Sequence, residues 1–205
     1  MSSGSPGQPL GLAALALFGW SFVGCAAHGH VATPIELDTL RQAPGLSASG
    51  RLTLVGPRGK ASARVIFGAA PPDSLRVEIP SGASLRFLLI TREGRLRADL
   101  PPDNSMFEGP ATAATMKDLF GIDLAPQDLV AALLGSPPQT VDGLWRFERS
   151  RPAQLTLKGA DGTKLKLTLD DPSTEAVSDQ AFAFGPARPQ SLSRAEMSRR
   201  LGLVR

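Results

Sequence analysis

The sequence predicts a mostly β protein with α-helices: a curled antiparallel half-barrel of about eight or nine strands, with two short helices as a lid or plug. Apolar and polar residues alternate along short segments, which is typical of strands with one buried face. Clusters of Gly, Pro, Asp and Asn separate these segments and indicate turns. Two helical segments interrupt the series, and an antiparallel sheet of this size tends to curl.

The first half of the chain contains five predicted strands that follow one another directly. Their alternation predicts a sheet with one apolar face and one Arg-rich face that contacts water. The pair Glu93-Gly94 predicts a tight hairpin between the last two strands. The five strands span residues 49–55, 60–67, 74–79, 85–91 and 95–100.

Two helices are predicted after these strands, over residues 112–120 and 126–134. The second is better marked, because Pro126 suits the first helical position and Gly135 follows the last turn. Its leucines and valine form an apolar stripe at helical spacing. The strands then resume at residues 144–149, 154–158 and 164–169, with a further short strand at 181–184.

An apolar run near the start of the chain meets the only cysteine, Cys25. Residues 11–24 are too few to span a bilayer core of ~30 Å, but they suit the apolar part of a secretion signal. The ending Val-Gly-Cys resembles the lipobox of bacterial lipoproteins. That resemblance implies acylation of Cys25 and cleavage directly before it. A plain signal peptide and a buried helix with a core cysteine are the alternatives.

The composition and the few chemically reactive residues argue against catalysis, cofactors and metals. His28 and His30 are the only histidines, and no third metal ligand lies near them. Ser-His or Cys-His pairs would need these two residues, and no phosphate-binding glycine loop occurs. We therefore predict no enzyme activity, no cofactor and no metal site. Aromatic residues make up 5% of the chain and Tyr is absent, which argues against nucleic-acid binding.

The end of the chain, residues 188–205, is basic, with five arginines and one glutamate. Two interpretations are open: a solvated positive end, or contact with anionic lipid headgroups at up to ~1 kcal/mol per arginine. The same segment is compatible with a helix that places Leu192, Met197 and Leu201 loosely on one side.

The apolar face of the curled sheet has to be covered, and the two predicted helices are the apolar elements available to cover it. They either leave a cavity, whose Leu and Val lining would suit flexible acyl chains, or fill the interior as a closed core. The residues predicted to line the cavity are Leu52, Leu54, Val65, Phe67, Leu75, Val77, Ile79, Leu85, Phe87, Leu89, Leu96, Leu129 and Leu133.

The chain from about Ser47 to Phe184 resembles the LolA/LolB superfamily, which contains a periplasmic lipoprotein carrier and its outer-membrane receptor. The resemblance rests on the lipobox, the spacer, SGRLTL at residues 49–54 and PQDLVAALLG at residues 126–135. It implies a half-open barrel with a helical lid and an apolar cavity for lipoprotein acyl chains. With its lipobox, the chain is more similar to the receptor than to the soluble carrier.

The function implied by this resemblance is a membrane-anchored module for outer-membrane lipoprotein localisation. It would take lipoprotein acyl chains or a similar amphiphile, with a periplasmic carrier protein as partner. By the family's sorting rule, Ala26 after the cysteine favours the periplasmic face of the outer membrane. The alternative is an envelope structural or sensory lipoprotein with a filled core and a protein partner. The predicted regions are a signal peptide (1–24), a lipid-anchored tether (25–45), the half-barrel (46–187) and a basic tail (188–205).

Overall fold

The structure is a computed structural model, and it describes residues 36–56, 59–138 and 145–201. Within these residues, ten strands form one sheet in the order β10-β6-β5-β4-β3-β2-β1-β9-β8-β7. Neighbours run antiparallel, except that β10 pairs with β6 in parallel. The strands are β1 (Leu46–Gly56), β2 (Gly59–Ala70), β3 (Ser74–Ser81), β4 (Ser84–Arg92), β5 (Arg95–Leu100), β6 (Ser105–Pro110), β7 (Trp145–Arg151), β8 (Gln154–Gly159), β9 (Lys164–Ser173) and β10 (Gln190–Ser191).

The sheet is curled and open, because β10 and β7 lie at opposite edges and do not pair with each other. This confirms the predicted fold class of a mostly β protein with a curled, half-closed sheet. Four α-helices accompany the sheet in the described residues. They are α1 (Leu37–Gln42), α2 (Ala113–Phe120), α3 (Pro126–Leu133) and α4 (Arg194–Arg200).

The two central helices begin and end where the sequence predicts. The Thr112 side chain accepts a hydrogen bond from the backbone N–H of Thr115, which caps the start of α2. Gly121 ends α2 in the left-handed conformation, with φ of 70°. Pro126 occupies the first position of α3, where its missing N–H costs no helical hydrogen bond.

The segment predicted as a strand at residues 181–184 is instead part of a strap, defined here as residues 174–189. Its Asp179–Phe182 portion is a 3-10 helix. Phe182 is almost fully buried beside Gly68 of β2, where the absent side chain leaves room for the ring. The alternation of Ala and Phe therefore reflects one buried phenylalanine, and the strand prediction is wrong.

The strap is held against the outer face of the sheet by arginines of β3 to β5. Arg76 Nη1 donates to the carbonyl of Ala181 at 2.9 Å. Arg97 is almost fully buried, donates to the carbonyls of Gly185 and Pro186 at 2.6 Å, and pairs with Asp99 at 2.8 Å. The predicted wet, Arg-rich face is thus covered over part of its area, since its arginines bind backbone carbonyls instead of water.

The last described residues pack on the domain, so they form more than a solvated positive end, although Arg199 is exposed. Leu192 and Met197 are buried. Arg188, Arg194 and Arg200 each lie within ion-pair distance of an aspartate in the body of the domain: Asp99 (3.9 Å), Asp118 (2.8 Å) and Asp103 (3.4 Å), respectively.

Helix α1 also packs on the domain, although it falls within the segment predicted as a tether. Leu40 is fully buried, and Arg41 Nε donates to the carbonyl of Gly135 at 3.0 Å. The ordered body therefore begins before residue 46. In the ranges that the structure describes, no helix is both long and apolar enough to cross a membrane.

Candidate ligand-binding cavity

The concave side of the sheet encloses a cavity of about 420 Å³. Ligand sites for small molecules commonly measure ~300–1,000 Å³, so this volume is sufficient for a sizeable apolar group. Of the described residues that line the cavity, all but three are apolar, the exceptions being Ser62, Arg86 and Arg200. Such a lining offers extensive contact with hydrocarbon and few directional hydrogen bonds, which suits a flexible chain.

Eleven of the thirteen residues predicted to line the cavity do lie along it. They come from the concave face of β1 to β4 and from α3, because alternate residues of a strand share one face. They are Leu52, Leu54, Val65, Phe67, Leu75, Val77, Ile79, Phe87, Leu89, Leu129 and Leu133.

The structure places Leu85 and Leu96 away from the cavity lining, in contrast to the prediction. Leu96 is fully buried within the packed core. Leu85 is displaced by a β-bulge: Ile79 lies opposite Phe87, but Pro80 lies opposite Leu85, so Arg86 is an extra residue on β4. A bulge breaks the alternation of faces, and here Arg86 lines the cavity in place of Leu85.

Side-chain burial along the cavity shows where it opens. Val65, Phe67 and Leu89 are buried, whereas Leu52 and Ile79 are only partly buried. The partly buried residues lie toward the end of the sheet at which β1 joins β2 and β3 joins β4. The mouth of the cavity therefore lies at that end, and its apolar depth lies toward the middle of the strands.

The helices form the other wall of the cavity. Phe120 at the end of α2 meets Phe87 of β4 edge to face, with ring centroids 5.9 Å apart and an interplanar angle of 76°. This is a favourable arrangement for two aromatic rings. Leu129 and Leu133 of α3 complete the wall.

Helix α3 is attached to the far edge of the sheet by Arg149 of β7. Arg149 Nη1 donates to the carbonyls of Ala132 and Leu133, at 2.9 and 2.7 Å. Its Nη2 donates to the carbonyl of Pro152 at 2.6 Å. Burial lowers the pKa of Arg149 to about 10, which still leaves the guanidinium charged at neutral pH. The charge lies at the negative end of the helix dipole, where it is favourable.

Several lining residues were not predicted, and one of them, Leu100, comes from the end of β5. The strands β8 and β9 supply leucines. Their alternation is visible in the sequence, but the sequence does not reveal that β9 pairs with β1 and so brings them to the cavity. The α2 segment and the last helix supply the rest of the apolar wall, and small residues of β2 face the cavity near its mouth. The unpredicted residues include Ala61, Ala63, Leu100, Met116, Ile122, Leu155, Leu165, Leu167 and Leu201, together with the three polar residues.

The predicted lipidation site, Cys25, and the histidine pair, His28 and His30, lie outside the described residues. The described part of the chain contains no group of three or more His, Cys, Asp or Glu side chains placed to bind a metal ion.

The fold and the cavity together define the class of this protein: an open, curled antiparallel sheet with helices on its concave side and an apolar cavity between them. No protein-family model matches the sequence, and no curated protein matches it. Among solved structures, the chain is similar to a LolA superfamily protein from Nitrosomonas europaea, with 9% identity and a TM-score of 0.43 over 72% of this chain and 96% of that one. It is also similar to an uncharacterized conserved protein from Thermus thermophilus, with 13% identity and a TM-score of 0.41 over 76% and 95% of the two chains.

Proposed function

We propose that this protein is a membrane-anchored binding and transfer module that takes the acyl chains of lipoproteins, or of a similar amphiphile, into its cavity. The observation that carries the proposal is the apolar cavity of about 420 Å³, open at one end of the sheet. A closed core of a protein this size would fill such a volume with side chains, because interiors pack as densely as organic crystals.

The membrane anchor is part of the proposal and is supported by the sequence around Cys25. A thioether-linked lipid together with an acylated amino terminus would provide more than one chain, which is enough for stable attachment. We place the anchored domain at the periplasmic face of the outer membrane, on the basis of Ala26. A periplasmic carrier is the proposed partner, and outer-membrane lipoprotein localisation is the proposed process. The proposal contains no catalytic step.

The test compares two adjacent substitutions on opposite faces of β1. Leu54 lines the cavity near its mouth, whereas Val55 is 37% exposed and is absent from the lining. We expect Leu54→Glu to weaken binding of a neutral apolar dye at least tenfold, because a carboxylate in an apolar site is strongly unfavourable. Val55→Glu introduces the same charge on the other face and should leave dye binding unchanged.

The measurement is a fluorescence titration with N-phenyl-1-naphthylamine, on full-length protein that carries Cys25→Ser so that it cannot be acylated there. Mass spectrometry of an organic extract of the same protein identifies lipid that co-purifies with it. Absence of both dye binding and co-purified lipid would reject the binding function and favour the alternative of a filled-core envelope protein.

A further inference from the structure

The cavity lining is electrostatically asymmetric. Arg86 and Arg200 both line the cavity, and no Asp or Glu is among the described residues that line it. A ligand bound there meets hydrocarbon over most of its surface and two positive charges elsewhere. An uncharged hydrocarbon would use none of this charge, whereas an amphiphile with an anionic group would use both parts of the lining.

The two arginines differ in their existing contacts. Arg200 Nη1 lies 3.4 Å from Asp103 Oδ2 and 3.4 Å from Ser105 Oγ, so its charge is partly compensated. Arg86 makes no hydrogen bond or ion pair with any side chain or backbone group in the described residues. Two other arginines of the same sheet, by contrast, have carboxylate partners: Arg76 pairs with Glu78, and Arg97 pairs with Asp99. Arg86 is therefore available to a ligand.

The backbone explains why Arg86 lines the cavity. Strict alternation from Phe87 and Leu89 would put Leu85 on the concave face and Arg86 on the outer face. The bulge between Ile79 and Pro80 reverses this at the start of β4, so that Arg86 takes the place of a leucine. The position follows the β3–β4 turn, at the end of the sheet where the apolar lining is only partly buried.

Resting on the proposed function, we propose that the preferred ligand is an anionic amphiphile whose carboxylate or phosphate is bound by Arg86 at the mouth while its hydrocarbon chain lies in the cavity. A guanidinium binds either oxyanion through paired N–H donors. Arg200 contributes a second positive charge to the same lining. The order along the cavity, charged at the mouth and apolar in its depth, matches the order of groups in such a ligand.

The experiment displaces the neutral dye N-phenyl-1-naphthylamine from full-length protein carrying Cys25→Ser. Three competitors share one hydrocarbon chain: myristate, myristyl phosphate and the uncharged myristyl alcohol. The quantity compared is the ratio of the alcohol's inhibition constant to that of each anion. We expect this ratio to fall about tenfold in Arg86→Gln, and to recover in part in Arg86→Lys, which keeps the charge but loses the paired donors. Comparison of the two anions distinguishes a carboxylate from a phosphate headgroup.

Arg51→Gln is the matched control, because Arg51 is an exposed arginine on β1 that does not line the cavity. In Arg51→Gln, the ratio of the alcohol's inhibition constant to that of each anion should equal the ratio in the parent protein. If all three competitors displace the dye and Arg86→Gln leaves the ratio unchanged, the headgroup assignment is overturned and the proposed function stands. If no competitor displaces the dye, the proposed function fails and the assignment fails with it. Arg86 is exposed, so its substitution should leave the melting temperature unchanged, which is checked on the same samples.

Discussion

The substitution Ala63→Leu tests directly whether the concave side of the sheet is hollow. Ala63 is a partly buried residue of β2 that lines the cavity opposite Leu52. In a hollow structure the added isopropyl group enters empty space and buries apolar surface. In a filled core the same group would force its neighbours out of their preferred rotamers. The two cases give opposite signs for the change in the free energy of unfolding.

The magnitude follows from the burial that the site offers. Full burial of the added groups would contribute about 2 kcal/mol, at ~0.8 kcal/mol for each buried CH₂. Ala63 is only partly buried, and a leucine side chain loses about 0.5–1 kcal/mol of conformational entropy when it is ordered. We therefore expect Ala63→Leu to stabilise the protein by roughly 1 kcal/mol, or about 2–4 °C in melting temperature for a chain of this size.

Ala98→Leu is the matched control for a packed site. Ala98 of β5 is fully buried between Leu89 and Phe107 of the neighbouring strands and does not line the cavity. Enlarging a side chain in a well-packed core typically costs about 1–3 kcal/mol. The two variants should thus move in opposite directions, which one set of urea denaturation curves on lipid-free protein can establish.

The same experiment contains a result that would refute the reasoning. If Ala63→Leu destabilised the protein as much as Ala98→Leu, the space beside β2 would be occupied and the cavity could not accept a ligand. Dye binding provides a second readout beside the denaturation curves, since Ala63→Leu reduces the volume available to a bound hydrocarbon chain. We expect weaker binding of the apolar dye in this variant together with its higher stability.

Three further predictions concern the lipid anchor at Cys25, the attachment of helix α3 and the start of helix α4. Cys25→Ser should abolish incorporation of labelled palmitate in a bacterial host and shift the protein out of the membrane fraction; retained label would contradict the lipobox assignment. Arg149→Lys should lower the free energy of unfolding by about 2 kcal/mol in urea, because one ammonium cannot replace the guanidinium bonds to three carbonyls; a change below ~0.5 kcal/mol would show that these bonds do not hold α3. Hydrogen bonds from Ser193 lower the pKa of the Glu196 carboxyl in the folded protein. The stability that these hydrogen bonds contribute is therefore present above the pKa that Glu196 has in the unfolded chain, and it is lost as the pH falls through the lower pKa of the folded protein. Ser193→Ala should therefore raise that pKa, as measured by NMR titration, and no change would exclude the capping interaction as its cause.

The fold was largely predictable because a two-residue alternation is visible wherever one face of a strand is buried. β6 was missed because its first three residues, Ser105 to Phe107, are all buried, which removes the alternation. Both faces are covered there: the backbone N–H of Arg188 in the strap donates to Met106 Sδ at 3.4 Å, and Arg200 of α4 lies 3.4 Å from Ser105 Oγ. Coverage by a distant part of the chain is a tertiary effect, and a local pattern cannot reveal it.

The candidate site was predictable only as far as regular alternation holds. Residues of β1 to β3 and α3 lie on the cavity because their periodicity continues unbroken from sequence to structure. The bulge at Arg86 could not be predicted, because it depends on how β3 and β4 align across their turn. The packing of the basic segment could not be predicted either, since Arg188, Arg194 and Arg200 find their aspartate partners in segments far away along the chain.

Small side chains along β2 explain why the cavity is not filled in an otherwise densely packed domain. Ala61 and Ala63 face Leu54 and Leu52 across the β1–β2 pair, and all four line the cavity. A larger residue at either alanine would fill part of the space, and empty apolar volume reduces stability in proportion to its size. The hollow therefore costs stability in the unliganded protein. A ligand that fills it restores stability by mass action, by about 2.7 kcal/mol at a hundredfold excess over its dissociation constant. The lipid-free protein should accordingly have a lower melting temperature than the protein loaded with its amphiphile. Ala63→Leu should reduce this difference, because it stabilises the lipid-free protein and also weakens binding of the amphiphile.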